Sequence, residues 1–322
     1  MCAPSDGHAS GLNAAPLVSV LIPAWNAAPW IGECLGSVLA QSVVDFECLV
    51  VDDGSVDDTA RVVQSFADPR VRLISQGNAG VSAARNRALE EAKGVFVAFL
   101  DADDFWDVRF LERMLDVLGK EPEADLAFCG YTMFMDGTRL IRHQPWANVH
   151  ATGNVWWDML LDSVFCMGTF LARRDALPPD IRFSAGVPVA QDRDFLLRLL
   201  AHIYAGKNHS AVGIQERLLW YRQRPGSGSR QAAAALRLEW GLMSAHLEHP
   251  GVPERVRKRG FSCLAFKMSV IAAFGCKDVR AALSWYAKAV RLDALNVNLY
   301  WLPLRKLFLA LLPARQMRRP KP

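Results

Sequence analysis

The seven cysteines, Cys2, Cys34, Cys48, Cys129, Cys166, Cys263 and Cys276, form no Cys-x-x-Cys pair and no spaced Cys/His set. That argues against a zinc framework and against a disulfide-stapled scaffold. They read instead as small buried hydrophobes of a reducing, cytoplasmic compartment. No Gly-x-Gly-x-x-Gly follows the first apolar run, and no Gly-x-x-x-x-Gly-Lys-Ser/Thr occurs anywhere. A dinucleotide-binding fold and a P-loop nucleotidase are therefore disfavoured. No uninterrupted apolar run reaches bilayer-spanning length. Residues 1–15 are small and polar with no apolar core, so they read as a flexible leader and not as a signal peptide. A strong excess of one charge is also lacking: 37 Lys and Arg against 33 Asp and Glu leave +4, too little to point to nucleic acid. One local exception stands out. Arg305, Lys306, Arg315, Arg318, Arg319 and Lys321 crowd the end of the chain without an acid among them.

What is present is enough for one large α/β domain with an appendage: 322 residues, 51% hydrophobic and 22% charged. From Leu17 to Phe134 apolar runs alternate with amphipathic stretches. Leu17–Pro23, Phe46–Asp52, Val71–Ile74, Val95–Leu100 and Leu126–Phe134 read as strands. Trp30–Leu39, Thr59–Phe66, Val81–Ala92 and Phe110–Leu118 read as the helices between them. This order predicts parallel strands joined by right-handed crossovers, a doubly wound, Rossmann-like sheet of the nucleotide-binding type.

Two predicted strands end in carboxylates, where ligands sit in open α/β sheets. Val95–Leu100 runs straight into Asp101-Ala102-Asp103-Asp104. Adjacent like charges resist burial, so packing does not explain them, although Asp104 could cap the next helix. Hard oxygen ligands at this place suit Mg²⁺ or Mn²⁺ shared with phosphates. Phe46–Asp52 leads into Asp53, Gly54 and Ser55, then Asp57 and Asp58. Asp57 reads as a helix cap, and Asp53 as an acceptor for a nucleotide base or ribose. Between the acidic clusters, Gly77-Asn78-Ala79-Gly80 opens a helix carrying Arg85 and Asn86. Its free N–H groups and positive end favour an anion, and Arg85 can fork onto a phosphate.

Taken together, Pro23-Ala24-Trp25-Asn26, Val51-Asp52-Asp53-Gly54-Ser55, Asn78-Ala79-Gly80 with Ala84-Arg85-Asn86, and Leu100-Asp101-Ala102-Asp103-Asp104 resemble the family 2 glycosyltransferases. The resemblance covers roughly residues 16–230. It implies a GT-A fold and inverting transfer of a sugar from a nucleotide-diphosphate sugar to a hydroxyl acceptor. On it, Pro23, Ala24, Asn26, Asp53, Asn78, Gly80, Arg85, Asp101 and Ala102 bind the donor nucleotide. Asp103, aided by Asp101, holds Mg²⁺ or Mn²⁺. Gln191-Asp192-Arg193-Asp194 is similar to the family's Glu-Asp segment, with Gln191 in place of Glu; it implies Asp192 as catalytic base and Asp194 as bystander, against the alternative that Asp192 merely caps its helix. Trp220–Arg230 is similar to a Tyr-Arg…Ser segment of the family. Arg222 and Arg224 there are candidate diphosphate partners, on a loop that either closes over the donor or is an exposed linker.

Phe165–Leu171 reads as a buried strand beneath the acceptor cleft, and Trp146, Trp156 and Trp157 as core or as sugar-stacking rings. The domain reading is a leader over 1–15, a GT-A domain over 16–231 and a helical region over 232–322. Ala232–Leu247, Val256–Phe274 and Val279–Leu292 are its predicted helices. Leu299–Leu312 mixes Trp, Tyr and Leu with basic residues, the profile of a helix lying on an anionic leaflet, with packing against protein as the alternative. The expected partners are a nucleotide-diphosphate sugar, UDP-linked by preference because Asp53 suits uracil, a saccharide or lipid-linked saccharide acceptor, and the inner membrane surface. A nucleotidyltransferase and a non-catalytic sugar-nucleotide-binding protein remain as alternatives.

Overall fold

The computed structural model describes residues 15–135, 141–143, 154–161, 166–185, 190–206, 210–224, 232–274 and 278–294. Its first half follows the alternation in the sequence: β1 (Val18–Ala24), α1 (Ile31–Leu39), β2 (Phe46–Asp53), α2 (Thr59–Ser65), β3 (Val71–Gln76), α3 (Val81–Glu91) and β4 (Phe96–Phe99). These four strands are parallel, in spatial order β3-β2-β1-β4. Every residue of β1 is buried, as both faces of the sheet are covered. On one face Leu21, Leu49 and Phe99 meet Ala84 and Ala88 of α3. On the other Val20, Ile22 and Val50 meet Ile31, Leu35 and Val38 of α1. Alternating side chains thus feed two cores, the signature of a doubly wound sheet.

Beyond β4 the sheet becomes mixed. It continues through β5 (Phe105–Trp106), α4 (Phe110–Lys120), β6 (Ala124–Met135), β7 (Ile141–His143), α5 (Val155–Leu161), β8 (Phe170–Arg173), α6 (Gln191–Ala205) and β9 (Ser210–Gln223). β8 inserts antiparallel between β4 and β6; β9 runs parallel to β6, and β5 antiparallel to β9. The expected succession of parallel crossovers therefore stops at β4. Strand β8 reaches its place from far along the chain, held by Arg173, which donates to the carbonyls of Ala124 (3.1 Å) and Leu118 (3.2 Å). Two strand expectations also need correction. Val95 is 51% exposed and lies outside β4. Met167–Thr169 is a 3₁₀ turn, so that strand starts only at Phe170. The turn lets the Gly168 carbonyl accept from the Trp106 indole at 2.7 Å.

The helices α7 (Ala232–Leu247), α8 (Glu254–Phe274) and α9 (Val279–Leu292) follow. Met243, Leu247, Val256, Leu264 and Met268 join the same core as α5 and α6. Trp156 is 6% exposed within that core and Trp157 packs against it, so both rings are packing residues. Among the described helices none is long and apolar enough to cross a membrane. Trp146, Leu299–Leu312 and the basic end of the chain lie outside the described residues.

Two contacts set the position of α6. Phe99, at the end of β4, meets Phe183 edge-on (5.5 Å between centroids) and Phe195 of α6 (6.0 Å), while Phe183 stacks on Phe195 at 4.0 Å. Asp194, 7% exposed, accepts from Ser184 (2.9 Å) and Arg198 (2.7 Å), and His246 of α7 lies 3.0 Å away. Burial opposes ionisation of Asp194, but the hydrogen bonds from His246, Arg198 and Ser184 outweigh it and hold its carboxyl well below the usual carboxylate range. Phe99→Ala is expected to cost about 3–5 kcal/mol, the range for deleting a fully buried ring, read from urea unfolding. Asp194→Asn is expected to cost about 2–4 kcal/mol at neutral pH, because it leaves buried donors facing an uncharged amide. The folded carboxyl is the depressed one, so its contribution is complete above about pH 4 and lost as pH falls further. The stability gap between wild type and variant should therefore narrow by about 1 kcal/mol between pH 5 and pH 3.

Candidate active site

The ends of β1 and β2 and the start of α3 meet around a cleft of about 240 Å³ lined by Pro23, Ala24, Trp25, Asp53, Asn78, Gly80, Val81 and Ala84. Its volume is below the ~300–1,000 Å³ of sites that enclose a whole drug-sized ligand, so it accommodates one end of a larger molecule. Asp53 builds one wall. Its Oδ1 accepts from the Gln76 side chain (2.7 Å) and the Ala79 amide (2.9 Å), and its Oδ2 from the Gly80 amide (2.8 Å). Three of the roughly four lone-pair sites of a carboxylate are thus used, and one remains for a ligand. Gly54 makes this closure possible: at φ 73° a Cβ there would meet the Asn78 amide nitrogen at 2.8 Å. Asn26 works differently. At φ 47° it accepts from the Val56 amide (3.0 Å), and its own amide donates to Ser55 Oγ (2.9 Å), stapling the loops after β1 and β2. It does not line the cleft.

The acidic loop after β4 is held by arginines. Arg85, 4% exposed, donates to Asp101 Oδ1 at 2.7 Å and lies over the Phe183 ring. Its Nε and Nη1 have no hydrogen-bond partner among the described residues. Two buried donors left unmade are costly, about 1–3 kcal/mol each, and are of the kind an anion can satisfy. Ala102 is buried and Asp103 half-buried at 19%. Burial first, and then the charge of Asp101, push the Asp103 carboxyl above its ordinary range. Asp104 does not cap a helix: fully buried, it accepts from the Arg222 amide at 2.7 Å, tying the loop to β9.

Arg222 and Arg224 separate in role. Arg222 is 7% exposed; it donates to the Asp103 carbonyl (2.7 Å) and to Glu33, and lies over Phe134. Its guanidinium is thus committed to the protein and braces the acidic loop. Arg224 is 34% exposed, pairs with Asp103 Oδ2 at 2.8 Å and stacks on Trp30 at 4.3 Å. Residues 225–231 lie outside the described residues.

Asp192 sits in the first turn of α6, whose N-cap is Ala190, so it is not the cap. Its Oδ1 accepts only from the neighbouring Arg193 amide among the described hydrogen bonds. Arg193 anchors the turn through Glu239 (3.4 Å) and the Met159 carbonyl (3.1 Å). Burial, and then the charges of Asp104, Asp101 and Asp192, push the Cys166 thiol far up. One thiol therefore feels the acidic loop and the start of α6 together. Asp194, a bystander in the sequence reading, is the residue that fixes this helix. Asn86 was missed as well. It exchanges two hydrogen bonds with the Phe183 backbone (2.8 and 2.9 Å), docking the segment before α6 onto α3. Its place beside Arg85 was the available signal. Trp25, 58% exposed on the rim of the cleft, and Trp30 are the other omissions.

Among the described residues no three His, Cys, Asp or Glu side chains gather as a metal cage. The donor set at Asp101 and Asp103 nevertheless fits Mg²⁺ or Mn²⁺. Such ions are commonly held by one or two carboxylates and completed by water and substrate phosphates.

Comparison with known proteins places this geometry. The model of "Glycosyl transferase family 2" matches residues 19–178. The chain is 30% identical over 237 residues to the Escherichia coli UDP-Glc:alpha-D-GlcNAc-diphosphoundecaprenol beta-1,3-glucosyltransferase WfgD, covering 73% of this chain and 88% of that one. Of other curated relatives it spans a smaller part, 62% of the Bacillus subtilis EpsJ chain and 11% of the Pasteurella multocida hyaluronan synthase. In structure it is similar to S. aureus TarS 1–349 in complex with UDP-GlcNAc, with TM-score 0.62 and 18% identity over 90% of this chain and 88% of that one. It is also similar to the mannosyltransferase PcManGT of Pyrobaculum calidifontis in complex with GDP-Man and Mn²⁺, with TM-score 0.58 and 19% identity over 93% and 81%. Both neighbours share the fold, a GT-A sheet with helices beyond it. The strand order, the carboxylates at the strand tips and these similarities agree: the chain belongs to glycosyl transferase family 2.

Proposed function

We propose that the chain is an inverting glycosyltransferase that moves a sugar from a UDP-sugar to a hydroxyl of a lipid-linked or surface-polysaccharide saccharide. The observation that carries this reading is the pair Arg85 and Asp101, 2.7 Å apart, with Arg85 one residue after Ala84 of the cleft lining. A buried guanidinium with two unpartnered nitrogens sits beside metal-type carboxylates, which is what a nucleoside diphosphate requires at one point. The base enters between Trp25 and Asp53. Trp25 offers an exposed ring for stacking, and the remaining lone pair of Asp53 accepts a ring N–H or a ribose hydroxyl. Asn78 and Gly80 border the ribose from the loop that Asp53 fastens. Arg85 turns its free nitrogens to the diphosphate. Mg²⁺ or Mn²⁺ on Asp103 and Asp101 would supply charge neutralisation of the leaving diphosphate.

Asp192 is the base. Its carboxylate takes the proton of the acceptor hydroxyl as that oxygen attacks the anomeric carbon from the face opposite the diphosphate. The new glycosidic C–O bond forms while the bond to the diphosphate oxygen breaks, and its electron pair leaves with UDP. One displacement inverts the centre without a covalent sugar–enzyme intermediate. WfgD, whose name gives a UDP-Glc donor and a diphosphoundecaprenol-linked acceptor, supports both the base and the acceptor class. The domain reading of 16–231 as the catalytic unit and 232–322 as a helical region near the membrane face belongs to this proposal. The bracing of α6 by α7 through His246 and Glu239 supports a role for those helices in holding the base.

Asp192→Asn is expected to lower transfer by at least ~10²-fold, the usual contribution of a positioned base, with UDP affinity by calorimetry close to wild type. Near-normal turnover in that variant would remove Asp192 from the role. Trp25→Ala should weaken UDP binding by about 5- to 100-fold, matching ~1–3 kcal/mol per stacked base. An unchanged affinity would mean that the base lies elsewhere.

A further inference from the structure

We infer that Arg224 is an internal counter-cation of the acidic loop, which a metal ion displaces from Asp103 and which then passes to the donor diphosphate. This rests on the metal reading of Asp101 and Asp103 given above. Each of the two carboxylates carries one arginine: Arg85 on Asp101 at 2.7 Å and Arg224 on Asp103 at 2.8 Å. The two arginines are held very differently. Arg85 rises from the middle of α3 with its side chain 5% exposed. Arg224 follows the last residue of β9, is 34% exposed, and has the face of Trp30 as its other described contact. Two residues earlier the strand is bolted down, since Arg222 contacts Glu33, the Asp103 carbonyl and Phe134 while its amide serves Asp104. The backbone is thus fixed at Arg222, and the Arg224 side chain is the part that swings.

A divalent ion and a guanidinium on one carboxylate repel each other. Entry of the ion onto Asp103 therefore favours the release of Arg224. A diphosphate bound beside the same loop is the strongest nearby partner for a released guanidinium, which forks onto phosphate oxygens. Donor and metal then favour each other through one side chain, and by linkage the effect is reciprocal. This scheme makes a prediction of opposite sign for two ligands, which a plain phosphate-binding arginine does not.

The test measures Mn²⁺ binding by the EPR signal of the free ion, and UDP binding by calorimetry, on the full chain and three variants. Arg224→Gln should bind Mn²⁺ about two- to fivefold tighter than wild type, the size of effect set by a partly exposed ion pair. The same variant should bind UDP about fivefold or more weakly when Mn²⁺ is saturating, and within about twofold of wild type in EDTA, where Arg224 stays on Asp103. Arg224→Lys keeps the charge, so its Mn²⁺ affinity should stay within about twofold of wild type. Asp103→Asn separates the two levels of the argument. If it leaves Mn²⁺ binding unchanged, the metal reading fails and this inference falls with it. If it weakens Mn²⁺ binding while Arg224→Gln does not tighten it, or if Arg224→Gln weakens UDP equally with and without Mn²⁺, the inference alone is overturned.

Discussion

The structure turns on the crowding of negative charge at the tip of β4. Asp101, Asp103 and Asp104 follow one another with a single alanine between the first two, and Asp104 is buried outright. Such a run is tolerable only where cations are brought to it. Two distant parts of the chain do so: α3 sends Arg85, and the end of β9 sends Arg222 and Arg224, with Glu33 of α1 holding Arg222 in place. Much of the mixed half of the sheet can be understood from this need. Strand β9 must end beside the acidic loop, which β5 secures by pairing Phe105 and Trp106 with Trp220 and Leu219.

The parallel half was legible because it is local. In β1, β2 and β4 short apolar runs end in carboxylates or a turn residue, and the helices between them show one apolar stripe each. Boundaries fell within a few residues, and where they slipped, as at Val95, the cause was exposure at a strand start that an apolar letter does not reveal. The mixed half was not legible, since a run such as Leu126–Phe134 states that a strand exists but not which neighbour it takes. Nor could Phe165–Leu171 show that Gly168 turns to meet the Trp106 indole, a contact between residues 62 positions apart.

At the site, composition located the acids better than it assigned them. Asp53 reads as an acceptor for a nucleotide and Asp104 as a candidate helix cap. One lines the cleft while fastening the Asn78 loop, and the other is spent inside the protein on the Arg222 amide. Arg222 and Arg224 looked equivalent in the motif. Strand alternation separates them no better, because both face the same way at i and i+2. Only the position of the strand end decides which of the two is buried.

The pair Asp192 and Asp194 carries the same lesson into the chemistry. Two positions apart on an α-helix lie on different faces, so neighbouring acids cannot share a task. Asp194 points inward, where Ser184, Arg198 and His246 take up its charge; Asp192 is left at the open turn with only the adjoining amide on it among the described bonds. A base must keep a lone pair for the acceptor proton and must not drift. With Asp192 as the proposed base, the helix meets both demands by dividing them, one carboxylate spending its bonding capacity on position so that the other can withhold its own. The C-terminal helices enter the catalytic argument at that point. His246 and Glu239 of α7 grip Asp194 and Arg193 on either side of the turn, so the orientation of Asp192 depends on packing by the C-terminal helices.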